Sequence, residues 1–313
     1  RAGRVEDIRI CLACNQSCAG RQVLNLPITC IYNPVTGHEK KWADPGPAPL
    51  KKKVVVIGGG PAGMEAARVA AERGHQVVLF ERTERLGGQV KLAMTTPMRE
   101  SLEEIIRFGE KQLPKLGVDV RLGVEATADQ VLTEGPQAVI VATGSVPYVP
   151  EIPGAESRNV LTVTDVLNGA PTGEHVIIVD TQGTPPGCAV AESLADRGKQ
   201  VEIVTGQNWV GSYITPAVWH HLYERLLGKG VTMSPMTGVA RIGEDFLDVY
   251  HVVNRSITRR IESVDTVVMA AGGQADTQLY QELKGRVEGL NAVGDCAQPR
   301  DIEMATYDAH KAA

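Results

Sequence analysis

Three observations on this 313-residue chain predict an α/β fold. Short apolar runs end in glycine turns, a strand-turn-helix-strand unit recurs further along the chain, and four cysteines gather ahead of both. Together they describe two Rossmann-like dinucleotide-binding domains, one inserted in the other, preceded by a small cysteine-rich segment. The expected boundaries are residues 1–50 for the cysteine segment and linker, 51–160 plus 276–313 for the first domain, and 161–275 for the inserted one. Hydrophobic residues at 43%, with 33 glycines and 18 prolines, suit a globular chain with many tight turns and exclude collagen-like or disordered classes.

The cysteines come first. Cys11, Cys14, Cys18 and Cys30 are separated by two, three and eleven residues. A net charge of -5 argues against nucleic acid, no apolar run is long enough for a membrane span, and the chain reads as cytoplasmic. In that compartment clustered thiolates point to metal ligation before disulfides, because thiols stay reduced and soft sulfur suits iron and zinc. Three close ligands and a distant fourth fit an iron–sulfur cluster, and a four-cysteine zinc site stays open on spacing alone. Cys188 and Cys296 stand alone beside glycine turns and read as small packed hydrophobes.

A proline-rich linker, Asp44 to Pro49, leads to the strand Val54 to Ile57 and then to Gly58-Gly59-Gly60-Pro61-Ala62-Gly63 opening a helix. Gly58 permits the tight turn, Gly60 lets backbone approach a pyrophosphate, and Gly63 lets helix and strand pack closely. The alanine-rich helix runs from about Met64 to Arg73 and stops at Gly74. A second buried strand, Val77 to Phe80, ends in Glu81, placed to bind ribose hydroxyls. Two later runs, Ala138 to Gly144 and Leu290 to Asp295, read as buried strands ending in small-residue turns.

The inserted domain is visible as a repeat. Gly74-His75-Gln76-Val77 recurs as Gly198-Lys199-Gln200-Val201, Ala67 matches Ala191, and Gly63 matches Gly187. The same offset puts Gln182 and Thr184 where Gly58 and Gly60 stood, and Thr205 where Glu81 stood. Side chains there obstruct a pyrophosphate, and Pro185-Pro186 remove two N–H donors from the helix entrance. The unit is therefore expected not to bind NAD(P)H. It closes with the apolar run Val264 to Ala271. His220 and His221 lack any accompanying nucleophile or metal spacing, and no catalytic acid or base is assigned. Trp209, Tyr213 and Trp219 read as packing residues, with a docking surface as the alternative.

Gly58 to Gly63, Glu81, Gly87-Gly88-Gln89, Ala142-Thr143-Gly144 and Gly294-Asp295 resemble the FAD motifs of flavoprotein reductases with two dinucleotide domains. Joined to the cysteine segment, nearly the whole chain resembles the C-terminal portion of the trimethylamine dehydrogenase and 2,4-dienoyl-CoA reductase family. The resemblance implies a [4Fe-4S] cluster on Cys11, Cys14, Cys18 and Cys30. It also implies an FAD or ADP site at Gly58, Gly60, Gly63, Glu81, Arg82, Gln89, Ala142, Thr143, Gly144, Gly294 and Asp295. An FMN-containing barrel is expected upstream, as a domain or a separate subunit, with Arg1 to Arg9 as the exit from it. The chain opens on Arg1 and stops at Ala313 inside what reads as a helix, so a fragment is expected. The implied function is the electron-transfer portion of an amine dehydrogenase or demethylase, passing electrons to an electron-transfer flavoprotein or similar acceptor, within a homo-oligomer of the complete enzyme. Two other readings are an NAD(P)H-dependent dienoyl-CoA-reductase-like enzyme and a nucleotide-stabilised docking module without redox chemistry.

Overall fold

The computed structural model describes Gly3 and residues 7–313, so Arg1, Ala2, Arg4, Val5 and Glu6, part of the expected barrel exit, lie outside the described residues. The chain divides into two compact units, Arg1–Lys91 with Ser101–Val146 and Gly273–Ala313, and Leu92–Glu100 with Pro147–Gly272.

The first unit is built on a five-stranded parallel sheet in the spatial order Gly289–Ala292, Ala138–Val141, Lys53–Ile57, Gln76–Phe80, Asp119–Arg121. Its central strands are near-continuous apolar runs, as parallel strands covered on both faces must be. Val55, Ile57, Val78, Phe80, Val139 and Val141 enter one core with Leu283 and Cys296. The helix Pro61–Glu72 follows the first strand, with Pro61 pre-set for a helix start and nine of its twelve residues buried. It stops before Gly74, whose φ of +87° is open to glycine at little cost. The helices Glu103–Lys115 and Ile302–Ala312 pack against it.

The cysteine segment belongs to this unit. It carries two single-turn helices, Ala19–Gln22 and Glu39–Trp42, and buries Leu12, Ile31, Tyr32 and Trp42. Trp42 stacks on Tyr307 and His310 of the last helix, with ring centroids 5.0 and 4.7 Å away.

The second unit has its own five-stranded parallel sheet, ordered Val160–Thr162, Thr266–Ala270, His175–Asp180, Gln200–Thr205, Thr232–Ser234. The strand at the expected 160/161 boundary thus pairs within this sheet. One face packs Val176, Ile178 and Ile203 against Leu194 and Leu226, with Cys188 among them. The other packs Ile177, Val179 and Val204 against Ile242, Leu247, Val249 and Ile261. Those last four come from an antiparallel three-stranded sheet, Thr237–Ile242, Phe246–His251 and Thr258–Glu262. Among the described residues no helix is long and apolar enough to cross a membrane.

Candidate functional site

The glycine turn of the first unit is fixed by backbone packed on backbone. Gly58 has φ +102°, and a Cβ there would lie 2.3 Å from the Ala142 carbonyl oxygen. Its N–H donates to Phe80 O at 2.8 Å, which ties the turn to the neighbouring strand. A Cβ on Gly63 would lie 1.8 Å from Gly58 O, so the helix enters as close to the strand as it can. Gly60 is different. A Cβ there would meet nothing nearer than Gly88 Cα at 3.9 Å, which leaves a channel floored by two glycines. Gly60 is also the N-cap and supplies no side-chain cap, so first-turn N–H groups are left to an anion.

The other expected residues assemble around this turn. Glu81 is buried, and its carboxylate accepts from the Gly59 N–H at 2.7 Å and the Thr83 N–H at 2.8 Å. Arg82 stands exposed beside it. The Gly87 N–H donates to Gly59 O at 2.8 Å, which brings the Gly87-Gly88-Gln89 loop over the glycine turn. Gln89 Nε2 donates to Ser145 Oγ at 3.0 Å and to Asp295 Oδ2 at 3.3 Å, and Ser145 Oγ donates to Asp295 Oδ2 at 3.2 Å. Gly294 has φ +62°, and a Cβ there would lie 2.8 Å from Ala62 Cβ, so its turn sits against the helix start. The Ala142 N–H donates to Ile57 O at 2.7 Å, the Thr143 hydroxyl donates to Asp276 O at 2.7 Å, and Gly144 O accepts from the Asp276 N–H at 3.0 Å. Residues from both ends of the sequence thus come together at the C-terminal edge of a parallel sheet, where open α/β folds bind ligands.

All six cysteines are free thiols. Cys11, Cys14, Cys18 and Cys30 lie on one loop, turned by left-handed backbone at Ala13 and Asn15, and the Ala13 N–H donates to Cys11 Sγ at 3.4 Å. The distant fourth cysteine is brought back by its neighbour, because the Thr29 N–H donates to Ser17 O at 2.9 Å. Ser17 and Thr29 both donate their hydroxyls to the Glu303 carboxylate, which anchors the loop to the last helix. Burial pushes the Cys14 thiol above its ordinary value, the Gln16 N–H opposes this, and proximity of Cys30, Cys18 and Cys11 raises it further. Among the described residues, no three Cys, His, Asp or Glu side chains are drawn to metal-ligand spacing.

Between loop and helix lies a charge cluster the sequence did not reveal. Glu65, on the glycine-turn helix, accepts from Arg9 Nη2 at 2.8 Å and from Arg68 Nε and Nη2 at 3.0 and 2.6 Å, with His310 Nδ1 at 2.8 Å. Burial works against its charge, but Arg9, Arg68 and His310 together hold its carboxyl far below the usual range. The Arg9 guanidinium also lies over the Phe108 ring, 4.5 Å from its centroid.

In the second unit the corresponding turn is filled. Asp180 ends its strand at 1% exposure, and Oδ1 accepts from the Gln182 and Gly183 N–H groups at 3.0 and 2.8 Å. Burial raises its pKa, the two N–H donors pulling the other way. Thr184 is the N-cap of the helix Pro185–Asp196, and Thr205 is buried at the end of the next strand. Trp219 packs on Tyr223 with centroids 4.0 Å apart, whereas Trp209 and Tyr213 are exposed, as are His220 and His221.

A model of the pyridine nucleotide-disulphide oxidoreductase family matches residues 52–313. The chain belongs to that family.

Among relatives of this pyridine nucleotide-disulphide oxidoreductase, a probable N-methylproline demethylase of Rhizobium meliloti is 40% identical over 98% of this chain and 49% of its own. An NADH oxidase of Thermoanaerobacter brockii is 38% identical over 81% of this chain and 41% of its own. A solved structure of a 2-naphthoyl-CoA reductase complex superposes with a TM-score of 0.91 at 31% identity, covering 99% of this chain and 47% of that one. The chain spans about half the length of the curated relatives it matches. The match begins at residue 52, so the family model leaves the cysteine loop outside, although the fold joins that loop to the first unit. Sequence reasoning missed Ser145, Arg9, Glu65, Arg68 and His310. A Glu and an Arg three residues apart inside the alanine-rich helix run Met64 to Ala71 were the available signal for Glu65 and Arg68.

Proposed function

We propose that this chain is the electron-transfer portion of an iron–sulfur flavoprotein oxidoreductase of the amine dehydrogenase or demethylase type. In this reading Cys11, Cys14, Cys18 and Cys30 hold a [4Fe-4S] cluster, the first unit's glycine turn holds FAD or ADP, and a substrate-oxidising FMN barrel lies upstream. The observation that carries the reading is a segment with four free thiols, its distant cysteine brought back by the Thr29–Ser17 hydrogen bond, on the same unit as an anion-receiving glycine turn. Four soft donors with an N–H donated to sulfur suit iron, and the demethylase relative supports the reaction class.

When bound, the cluster supplies one-electron transfer. The chain's own residues do the rest. Gly60 and the first turn of Pro61–Glu72 receive a pyrophosphate, and Glu81 is placed for ribose hydroxyls. Gln89, Ser145 and Asp295 form a hydrogen-bonded set on the opposite wall. Glu303 accepts from Ser17 and Thr29, beside Cys18 and Cys30, and so ties two stretches of the thiol segment to the last helix. Leu12, Ile31 and Tyr32 exclude water beneath it, and burial pushes the Tyr32 hydroxyl up to about 12, keeping it neutral. An electron-transfer flavoprotein or similar acceptor completes the pathway.

The NADH oxidase and 2-naphthoyl-CoA reductase relatives favour a second reading, in which NAD(P)H reduces the flavin and the thiol centre relays electrons to a reductase site. Iron and acid-labile sulfide assays on anaerobically purified protein test the primary reading, with about four of each per chain expected. Colourless, iron-free protein after anaerobic reconstitution would remove it. Flavin absorbance after acid release separates FAD from ADP, and rapid bleaching by NADH or NADPH would move the assignment to the second reading.

A further inference from the structure

In a doubly wound sheet the ligand crevice opens where the strand order reverses. In the second unit that point lies between His175–Asp180 and Thr266–Ala270, since the chain continues from the first of these to one side and returns on the other.

Asp180 stands at the turn. Two successive N–H groups, from Gln182 and Gly183, converge on its Oδ1, and convergent backbone donors of this kind form a concavity that takes an anionic oxygen. Its Oδ2 is buried and has no hydrogen-bond partner. It lies at the first turn of Pro185–Asp196, where a Cβ on Gly187 would be 3.4 Å from Asp180 Cγ. Pro185 and Pro186 remove two N–H donors from that helix entrance. Gln182 runs across the crevice, donating from Nε2 to Ala271 O at 3.2 Å and lying over Gly272. From the other side Gln207 and Ser212 crowd Gly183, each about as close as an added Cβ would allow, and the Tyr213 N–H bonds to Gly183 O at 2.9 Å.

We infer that the second unit is shut to nicotinamide nucleotides by its own side chains, with the Asp180 carboxyl in the place of a cofactor phosphate and Gln182 bridging the crevice. These two residues are then its specificity determinants. The inference rests on the proposal that NAD(P)H is not the electron donor, and it adds the cause: the site is occupied from within as well as short of glycines. The rise in the Asp180 pKa accords with a group held where solvent does not reach.

The test uses the full chain with the first unit saturated by ADP. Wild type, Asp180→Gly and Gln182→Gly are titrated with NADH and NADPH by nucleotide fluorescence, and their melting is followed with inorganic pyrophosphate against chloride at matched ionic strength. Wild type is expected to show no saturable binding and no pyrophosphate-specific shift. Asp180→Gly is expected to melt lower and to recover with pyrophosphate, as an emptied anion site does. Gln182→Gly is expected to bind NADH or NADPH about tenfold or more tightly than wild type. If folded Asp180→Gly shows no pyrophosphate recovery and neither variant gains affinity, the inference is overturned and the electron-transfer reading stands. Should Asp180→Gly not fold, Gln182→Gly decides alone, since that side chain is exposed and outside both cores. Tight NADH binding by wild type sinks the electron-transfer reading and this inference together.

Discussion

Glu65 sits just over one helical turn from the Gly60 cap, and its carboxylate is the meeting point of Arg9, Arg68 and His310. Removing one partner of a buried charge set strands the others in low dielectric, so Glu65→Ala is expected to lose about 3–5 kcal/mol in urea unfolding at neutral pH. The pH dependence has a definite sign. Because the folded-state pKa is depressed, the contribution is complete above the ordinary glutamate value of 4.5 and shrinks as pH falls below it, since the unfolded chain protonates first. Glu65→Gln should flatten that acid limb. The Arg9 and His310 partners were not legible beforehand, because they lie 56 and 245 positions away, and only Arg68, three residues on, is local. Glu81 was legible, since a strand end after a glycine turn is a fixed address.

The glycine turn makes a sharper distinction than its motif does. Gly63 has no room for a methyl group against Gly58 O, whereas Gly60 faces open space. Gly63→Ala is therefore expected to cost roughly 3 kcal/mol through forced backbone shifts. Gly60→Ala should keep the wild-type melting temperature while weakening ADP binding about tenfold or more, because the obstruction appears only when a pyrophosphate arrives. Melting curves and ADP titrations of both variants check the contrast, and equal stability loss in the two would refute it. At this scale the sequence served well. Strands and helices around the repeat were readable because buried parallel strands are continuous apolar runs and glycine marks their ends. Asp180 escaped notice because matching the two turns drew attention to Gln182 and Thr184, two and four positions past it.

Two units, each with its own parallel sheet and separate cores, predict unfolding in more than one step. Differential scanning calorimetry with ADP should raise one transition and leave the other in place, because the ligand stabilises only the unit that binds it. A uniform shift of a single transition would contradict the division. The general α/β organisation was visible from the repeat, since strand-turn-helix periodicity is local. The docking of the cysteine loop on Ile302–Ala312 was not, because it depends on contacts across nearly the full sequence.

That docking bears on biosynthesis. Ser17 and Glu303 are 286 positions apart, so this tie of the thiol loop cannot form until the last helix has been synthesised. At ordinary translation rates the wait is roughly 15–60 s, during which the four thiols lack that tie. On the cluster reading proposed above, assembly would therefore meet the thiols either before this tie to the last helix exists or after it has formed.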